Sequence, residues 1–142
     1  MNHKQVVIAA IMTTLFFYGV VAVCLGSDQD DIAVTIAAES CGEGVAGMEA
    51  VASTILNRSK AWHKTPGQVV RQKNAYYGFT ANNRLSLYRQ CQQTADRLAR
   101  AVLARTLPDV VDGGLYFLLK TEKRRAWHKI ATVKIGAHSF YK

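Results

Sequence analysis

The sequence contains only two prolines, Pro66 and Pro108, and this scarcity excludes a proline-rich linker between domains. Acidic residues are also few: the chain has 10 Asp and Glu but 18 Lys and Arg, and its formal net charge is therefore +8. This charge favours an acidic partner, for which nucleic acid, anionic lipid and bacterial cell wall all qualify. No zinc-finger spacing, aromatic RNA-binding box or heptad-plus-basic region accompanies the charge, so we expect no nucleic-acid partner.

Motifs for metal or cofactor binding are missing as well. His63, His128 and His138 lack the spacing of zinc proteases, and no glycine-rich phosphate loop is visible. We therefore expect neither a metal nor a cofactor.

A long uncharged run extends from Val6 to Gly26. As a helix, its 21 positions would span about 31 Å, close to a hydrocarbon core of ~30 Å. Lys4 precedes the run, and this positive flank predicts a cytoplasmic N-terminus with the rest of the chain exported. We therefore divide the chain into a signal-anchor or transmembrane segment over 1–27 and an exported domain over 28–142.

The fate of this segment has several interpretations. A cut after Ala22 or Gly26 would make it a signal peptide, but the run is long for one, so we favour an uncleaved anchor. A lipidated Cys24 is disfavoured because Val23 replaces the small residue expected before it. Ala, Gly and Thr lower the hydrophobicity of the run, so a membrane would hold it only weakly. In this property it resembles the signal–anchor–release segments of certain phage endolysins. That resemblance implies an inner-membrane tether with the domain in the periplasm and later release; a plain membrane helix is the alternative.

The exported part begins with helical patterns. Asp30 or Asp31 is expected to cap a first helix that ends at Gly42. A stripe of apolar residues predicts a second helix, which ends in a polar cluster over 57–60. Thr65 and a first-turn proline predict a short third helix through residue 70.

After an irregular aromatic segment over 73–84, a long helix is expected to carry Cys91 on its apolar side. Two segments near the C-terminus have the β-branched and aromatic content of strands and predict a hairpin-like end. The order of elements predicts a compact α+β domain with mostly helical mass.

The stretch IAAESCGEG at 36–44 places two carboxylates four residues apart. Glu39 falls in the last turn of its helix, where the helix dipole and partial burial both raise a carboxyl pKa. A general acid that protonates a glycosidic oxygen near neutral pH needs such a raised pKa. Glu43 lies beyond Gly42, so it is either the partner of Glu39 or only a carrier of charge.

With the following GMEAVASTILNR, this stretch resembles the cell-wall hydrolase family that includes the spore cortex-lytic enzymes. Three further blocks carry the likeness: Gly78-Phe79-Thr80, then Asp109 with Gly113, Tyr116 and Phe117, then Trp127 with the terminal IGAHSFY. The resemblance covers roughly residues 32–141. Two positions depart from the family pattern: Ala38 replaces a glycine, and Cys41 replaces an arginine.

The resemblance implies a lysozyme-like or lytic-transglycosylase-like fold that cleaves peptidoglycan glycan strands between N-acetylmuramic acid and N-acetylglucosamine. Glu39 would be the catalytic acid. Six further residues are candidates for substrate binding: Glu43, Tyr77, Phe79, Thr80, Tyr116 and His138. Each also has a structural interpretation, because the aromatic rings can pack the core, Thr80 can order its loop and His138 can be a structural histidine.

The three cysteines are Cys24, Cys41 and Cys91, an odd number for an exported protein. While Cys24 is in lipid, only Cys41 and Cys91 can pair, and release of the anchor would let Cys24 compete by exchange. One hypothesis is a regulatory disulfide that distorts the Glu39 site. The simpler hypothesis is that Cys24 only fills space in the apolar run and that Cys91 is a core residue. Overall the sequence favours a phage or prophage lysis enzyme over a membrane-anchored, non-catalytic wall-binding protein.

Overall fold

The computed structural model of the chain describes residues 28–123, 125–126, 128 and 130–142. The predicted anchor over 6–26 lies outside these residues. Within the described part, no helix combines the length and the apolar character needed to cross a membrane.

Four helices make up most of the domain. Helix α1 covers residues 28–40, and the 3-10 turn Cys41–Glu43 links it to α2 at Gly44–Ala61; α3 follows at Pro66–Arg71 and α4 at Arg84–Leu103. Their apolar faces form one buried core with Ile32, Ile36, Val51, Ile55, Val69 and Leu98. This core supports the end of α1, where Glu39 lies.

The predicted cap of the first helix is wrong, because the helix already includes residue 28. The aspartates in this first part of α1 connect it to α3, because Asp28 and Asp31 both accept hydrogen bonds from the Arg71 guanidinium. The predicted start of α3 is confirmed. Thr65 accepts a hydrogen bond from Gln68 N–H at 3.2 Å, and the Gln68 side chain accepts one from Thr65 N–H at 3.0 Å, which completes a capping box.

Helix α2 ends one residue beyond the predicted polar cluster over 57–60, and most of that cluster is buried. Asn57, Arg58 and Ser59 are buried, and the helix ends at Ala61. Their polar groups have distant partners, because Asn57 Nδ2 donates to Asp109 Oδ1 at 3.2 Å and to the Gly114 carbonyl at 3.3 Å. These residues fasten α2 to the loop that leads into the sheet.

The predicted long helix α4 is present but bent. Cys91 has φ −129° and ψ 26°, which interrupts the helical backbone. Its thiol donates to the Leu87 carbonyl at 3.3 Å, one turn earlier. The bend lies on the side of α4 that faces the 3-10 turn after α1.

The C-terminal part forms a three-stranded antiparallel sheet in the order β1-β3-β2. Its strands are β1 at Tyr116–Leu119, β2 at Ala131–Ile135 and β3 at His138–Tyr141. The predicted hairpin is β2–β3, with a tight turn at Gly136, and β1 adds a third strand on the other side of β3. The structure thus confirms the predicted α+β domain with mostly helical mass.

Candidate active site

A cleft of about 480 Å³ opens between the C-terminal end of α1, the segment around residues 75–77 and strand β1. Its ionisable lining residues include three glutamates and one arginine: Glu39, Glu43, Glu122, Arg58, Cys41, Tyr76, Tyr77 and His138. The apolar remainder includes Leu87, Phe117 and Leu118. A concave site with a few converging polar groups on an apolar wall is typical of a small-ligand or active site.

Glu39 is fixed at the floor of this cleft by its helix and by one backbone donor. The adjacent Ser40 hydroxyl donates to the Ile36 carbonyl at 2.8 Å and ties down the helix end. Gly78 N–H donates to Glu39 Oε1 at 2.5 Å, across 39 residues of sequence. This leaves the second carboxyl oxygen for chemistry within the cleft.

The pKa of Glu39 is raised above the 4.5 of an ordinary glutamic acid. Burial raises it most; the Gly78 hydrogen bond and the charge of Arg58 lower it, and the charge of Glu122 raises it again. Burial is one of the two effects expected from the sequence. A carboxyl that keeps its proton closer to neutral pH is suited to act as a general acid.

Glu43 lines the same cleft but is held by the sheet. Its Oε2 accepts a hydrogen bond from Ala137 N–H at 2.6 Å. The neighbouring Gly136 has φ +57°, and a Cβ there would lie 1.7 Å from that same oxygen. Glu43 therefore bridges the end of α1 to the β2–β3 turn.

His138 and Glu122 complete the wall opposite α1. His138 is buried, and burial lowers its pKa, although the charges of Glu43 and Glu122 act in the opposite direction. Its ring contacts Phe117 edge-on at 5.1 Å between centroids. Glu122 Oε2 accepts from Leu119 N–H at 2.9 Å, which holds the acidic side chain at the rim.

The other candidates for substrate binding divide into two groups. Tyr77 lines the cleft and is 83% exposed, so its ring is available to a ligand. Phe79, in contrast, packs against the helical core, and the Thr80 hydroxyl donates to the Tyr77 carbonyl at 3.2 Å and orders its own loop. Tyr116 lines a neighbouring cavity instead.

The cysteines Cys41 and Cys91 lie side by side as free thiols, and Cys24 falls outside the described residues. Burial, followed by the adjacent Cys41 thiol, raises the pKa of Cys91 to about 12. Cys41 lines the cleft two residues from Glu39. The regulatory disulfide stays a prediction, and two of its three cysteines, Cys41 and Cys91, are neighbours in the structure.

Arg58 and Glu122 are functional-site residues that the sequence did not reveal. From the sequence, Arg58 belonged only to the polar cluster that ends α2, yet it lines the cleft and its charge acts on Glu39. The Leu-Asn-Arg motif was a signal for it, because a buried arginine needs dedicated partners. No local pattern marks Glu122. Among the described residues, no group of three or more His, Cys, Asp or Glu is placed to hold a metal ion.

Gly78 gives a direct test of this geometry. A Cβ on Gly78 would lie 2.9 Å from Ala38 Cβ and 3.0 Å from Glu39 Cγ, so Gly78→Ala must push the loop away from Glu39. We expect about a 10- to 100-fold loss of the peptidoglycan cleavage that the sequence resemblance implies, measured in a turbidity assay, because catalysis is sensitive to displacements of an ångström.

Gly42→Ala is the matched control. It adds the same methyl group three residues from Glu39, and nothing lies within 4 Å of the new atom. We expect its activity to stay within about threefold of wild type, since no neighbour is displaced. Equal activities of the two variants would show that contact with Gly78 does not position Glu39.

Comparison with known proteins places this chain in a family. A family model described as Cell Wall Hydrolase matches residues 42–141, more than half of the chain. The chain therefore belongs to the cell wall hydrolase family, which confirms the resemblance seen in the sequence and the expectation of an enzyme that acts on the cell wall. The match begins at Gly42, so Glu39 lies just outside it. No curated protein matches the chain significantly.

Two solved structures are similar to this one. The catalytic domain of the Bacillus cereus SleB protein is 24% identical with a TM-score of 0.65, covering 82% of this chain and 91% of that one. The catalytic domain of germination-specific lytic transglycosylase SleB from Bacillus anthracis is 27% identical with a TM-score of 0.64, covering 82% of this chain and 94% of that one. Both support the same helix-rich fold with a small sheet. The resemblance of the N-terminal segment to phage endolysins stays a prediction.

Proposed function

We propose that the protein cleaves peptidoglycan between N-acetylmuramic acid and N-acetylglucosamine, with Glu39 as a single general acid and base. The observation that carries this proposal is the Glu39 carboxyl, partly buried in an open cleft and held by Gly78 N–H at 2.5 Å. Membership of the cell wall hydrolase family supports the substrate, and the likeness to a lytic transglycosylase domain supports the reaction.

In this mechanism Glu39 donates its proton to the glycosidic oxygen as the bond to the sugar breaks. The resulting carboxylate then takes a proton from the attacking hydroxyl, either that of water or the muramic acid's own. Attack by water gives a reducing end, and attack by the sugar gives an anhydro-sugar. Glu43 is bonded to Ala137 N–H in the β2–β3 turn, and the proposal gives it a structural role there, so that one carboxylate carries the chemistry.

Mass spectrometry of muropeptides released from purified sacculi tests the proposal. We expect products that end in N-acetylmuramic acid or in its anhydro form, which is lighter by one water. Products that end in reducing N-acetylglucosamine would contradict the assigned bond. Binding to sacculi without any released product would favour the alternative of a non-catalytic wall-binding protein.

We further propose that residues 1–27 tether the enzyme to the bacterial inner membrane, with residues 28–142 in the periplasm, and that it serves as a phage or prophage endolysin released at lysis. The uncharged run over 6–26 and the net charge of +8, which suits an acidic wall, support this location. A fusion of residues 1–27 to a reporter that is active only in the periplasm should be active; a silent, stable fusion would contradict export.

A further inference from the structure

A second cavity of about 400 Å³ adjoins the cleft that holds Glu39. The two concavities share the lining residues Arg58, Ala75, Phe117 and Leu118. A ligand that leaves the cleft over this shared edge would therefore enter the second cavity, which we call the basic cavity.

The basic cavity differs from the cleft in charge. Arg58, Lys73 and Arg125 line it together with the amides of Gln72 and Asn74, and none of its described lining residues is an aspartate or glutamate. The cleft next to it carries three glutamates. Cations that converge on one concavity without a carboxylate among them create a positive potential that attracts an anion.

One of these cations is held in place before any ligand arrives. Arg58 is 5% exposed, and its guanidinium donates to the carbonyls of Leu115 at 2.5 Å and Ala75 at 2.7 Å. The backbone of Arg125 is also anchored, since its N–H donates to His128 Nδ1 at 3.0 Å and its carbonyl accepts from His128 N–H at 3.0 Å, whereas its side chain lies exposed at the edge of the cavity. Prior ordering of this kind reduces the entropy that binding costs.

The substrate supplies a suitable anion at a suitable place. Muramic acid carries a short peptide on its lactyl group, and this peptide includes acidic residues and ends in a carboxylate. The bond that Glu39 is proposed to break lies beside that sugar, so the peptide leaves the glycan next to the cleft. Planar carboxylates are the preferred partners of arginine, and lysine adds a mobile point charge.

We propose that the basic cavity binds a carboxylate of the peptide attached to muramic acid, so that the enzyme prefers peptide-bearing glycan over bare glycan. This inference rests on the proposed function. It assigns to Lys73 and Arg125 a role in substrate choice, whereas Glu39 carries the chemistry.

The test compares two substrates made from one preparation of sacculi free of teichoic acid, so that no wall phosphate contributes. One retains its peptides, and an amidase has removed them from the other, which leaves a lactyl carboxylate on each muramic acid but none of the carboxylates of the peptide. We expect wild type to cleave the peptide-bearing glycan faster. Lys73→Glu, at an exposed position, should lower that rate by about fivefold and leave the rate on bare glycan within about twofold of wild type.

Lys134→Glu is the control, because it makes the same change of charge at an exposed β2 residue that lines neither concavity. We expect this variant to keep the preference for peptide-bearing glycan. Loss of the preference in both variants would assign it to net charge and overturn the proposal. An equal fall of the Lys73→Glu rate on both substrates would overturn it as well.

Failure of this inference is distinct from failure of the proposed function. Equal cleavage of both substrates by wild type would reject the proposed peptide site but would remain consistent with a glycosidase. No cleavage of either substrate by wild type would reject the glycosidase, and the peptide site would fall with it.

Discussion

Replacing Glu39 with glutamine should reduce turnover of sacculi by about 10²- to 10⁴-fold, the usual contribution of a general acid or base. Glutamine keeps an oxygen that can accept the hydrogen bond from Gly78 N–H, so the site geometry should persist. Only the transferable proton is lost. Turbidity loss and muropeptide release measure the effect, and binding to sacculi should remain.

The same variant should gain stability at high pH, for a reason that follows from the raised pKa of Glu39. Folded Glu39 holds its proton more tightly than the unfolded residue, whose pKa is near 4.5. Stability from this proton is therefore full at low pH and is lost as the pH rises through the folded-state pKa. Glutamine never ionises, so Glu39→Gln should melt above wild type at pH 8, and this difference should shrink towards pH 4.

Glu49→Gln provides the control, because Glu49 lies on α2 outside the cleft and pairs with Arg97 at 3.4 Å on the surface. It should turn over sacculi like wild type, without the pH-dependent gain. Retention of more than a tenth of wild-type activity by Glu39→Gln would contradict the assignment of Glu39 as the acid.

The largest effect on stability is expected from Arg58→Ala. The Arg58 guanidinium lies among three aromatic rings, with centroids at 4.4 Å for Tyr76, 5.2 Å for Trp62 and 5.5 Å for Tyr116. Its removal also leaves the carbonyls of Leu115 and Ala75 without this donor. We expect a loss of about 3 kcal/mol or more in the free energy of unfolding, since each charged hydrogen bond contributes about 1.5–3 kcal/mol.

Thermal unfolding followed by circular dichroism measures this loss, which corresponds to a fall in Tm of about 10–20 °C for a domain of this size. Arg58→Lys should recover only part of it, because lysine lacks the planar fork that reaches both carbonyls. Arg97→Ala, whose ion pair with Glu49 is exposed, should cost no more than about 1 kcal/mol. A melting temperature of Arg58→Ala close to that of Arg97→Ala would show that the aromatic enclosure contributes little.

The helices were predictable from the sequence because their signals are local. Apolar residues at helical spacing indicated α2 and α4, and Thr65 before Pro66 marked the start of α3. The errors came from polar residues with distant partners. Arg58 resembled the end of a helix, yet its partner Leu115 is 57 residues away. A contact between residues so far apart cannot be predicted from the spacing of residues along the chain.

The site shows the same division between local and distant information. Glu39 was found from its place at a helix end and from the family resemblance. The contact that fixes its carboxyl, Gly78 N–H, lies 39 residues further on, and the expected contribution of neighbouring Phe79 to the cleft is replaced by packing in the core. Glu122 follows β1 in an irregular segment, where no periodic pattern distinguishes it from a solvated charge.

The bond between Glu43 and Ala137 joins positions 94 residues apart. A chain synthesised only as far as α1 already contains Glu39. It still lacks the β2–β3 turn, which closes the wall of the cleft beside Glu39. The last residues of the chain, with His138 among those that line the cleft, must therefore be in place before the wall of the cleft is complete.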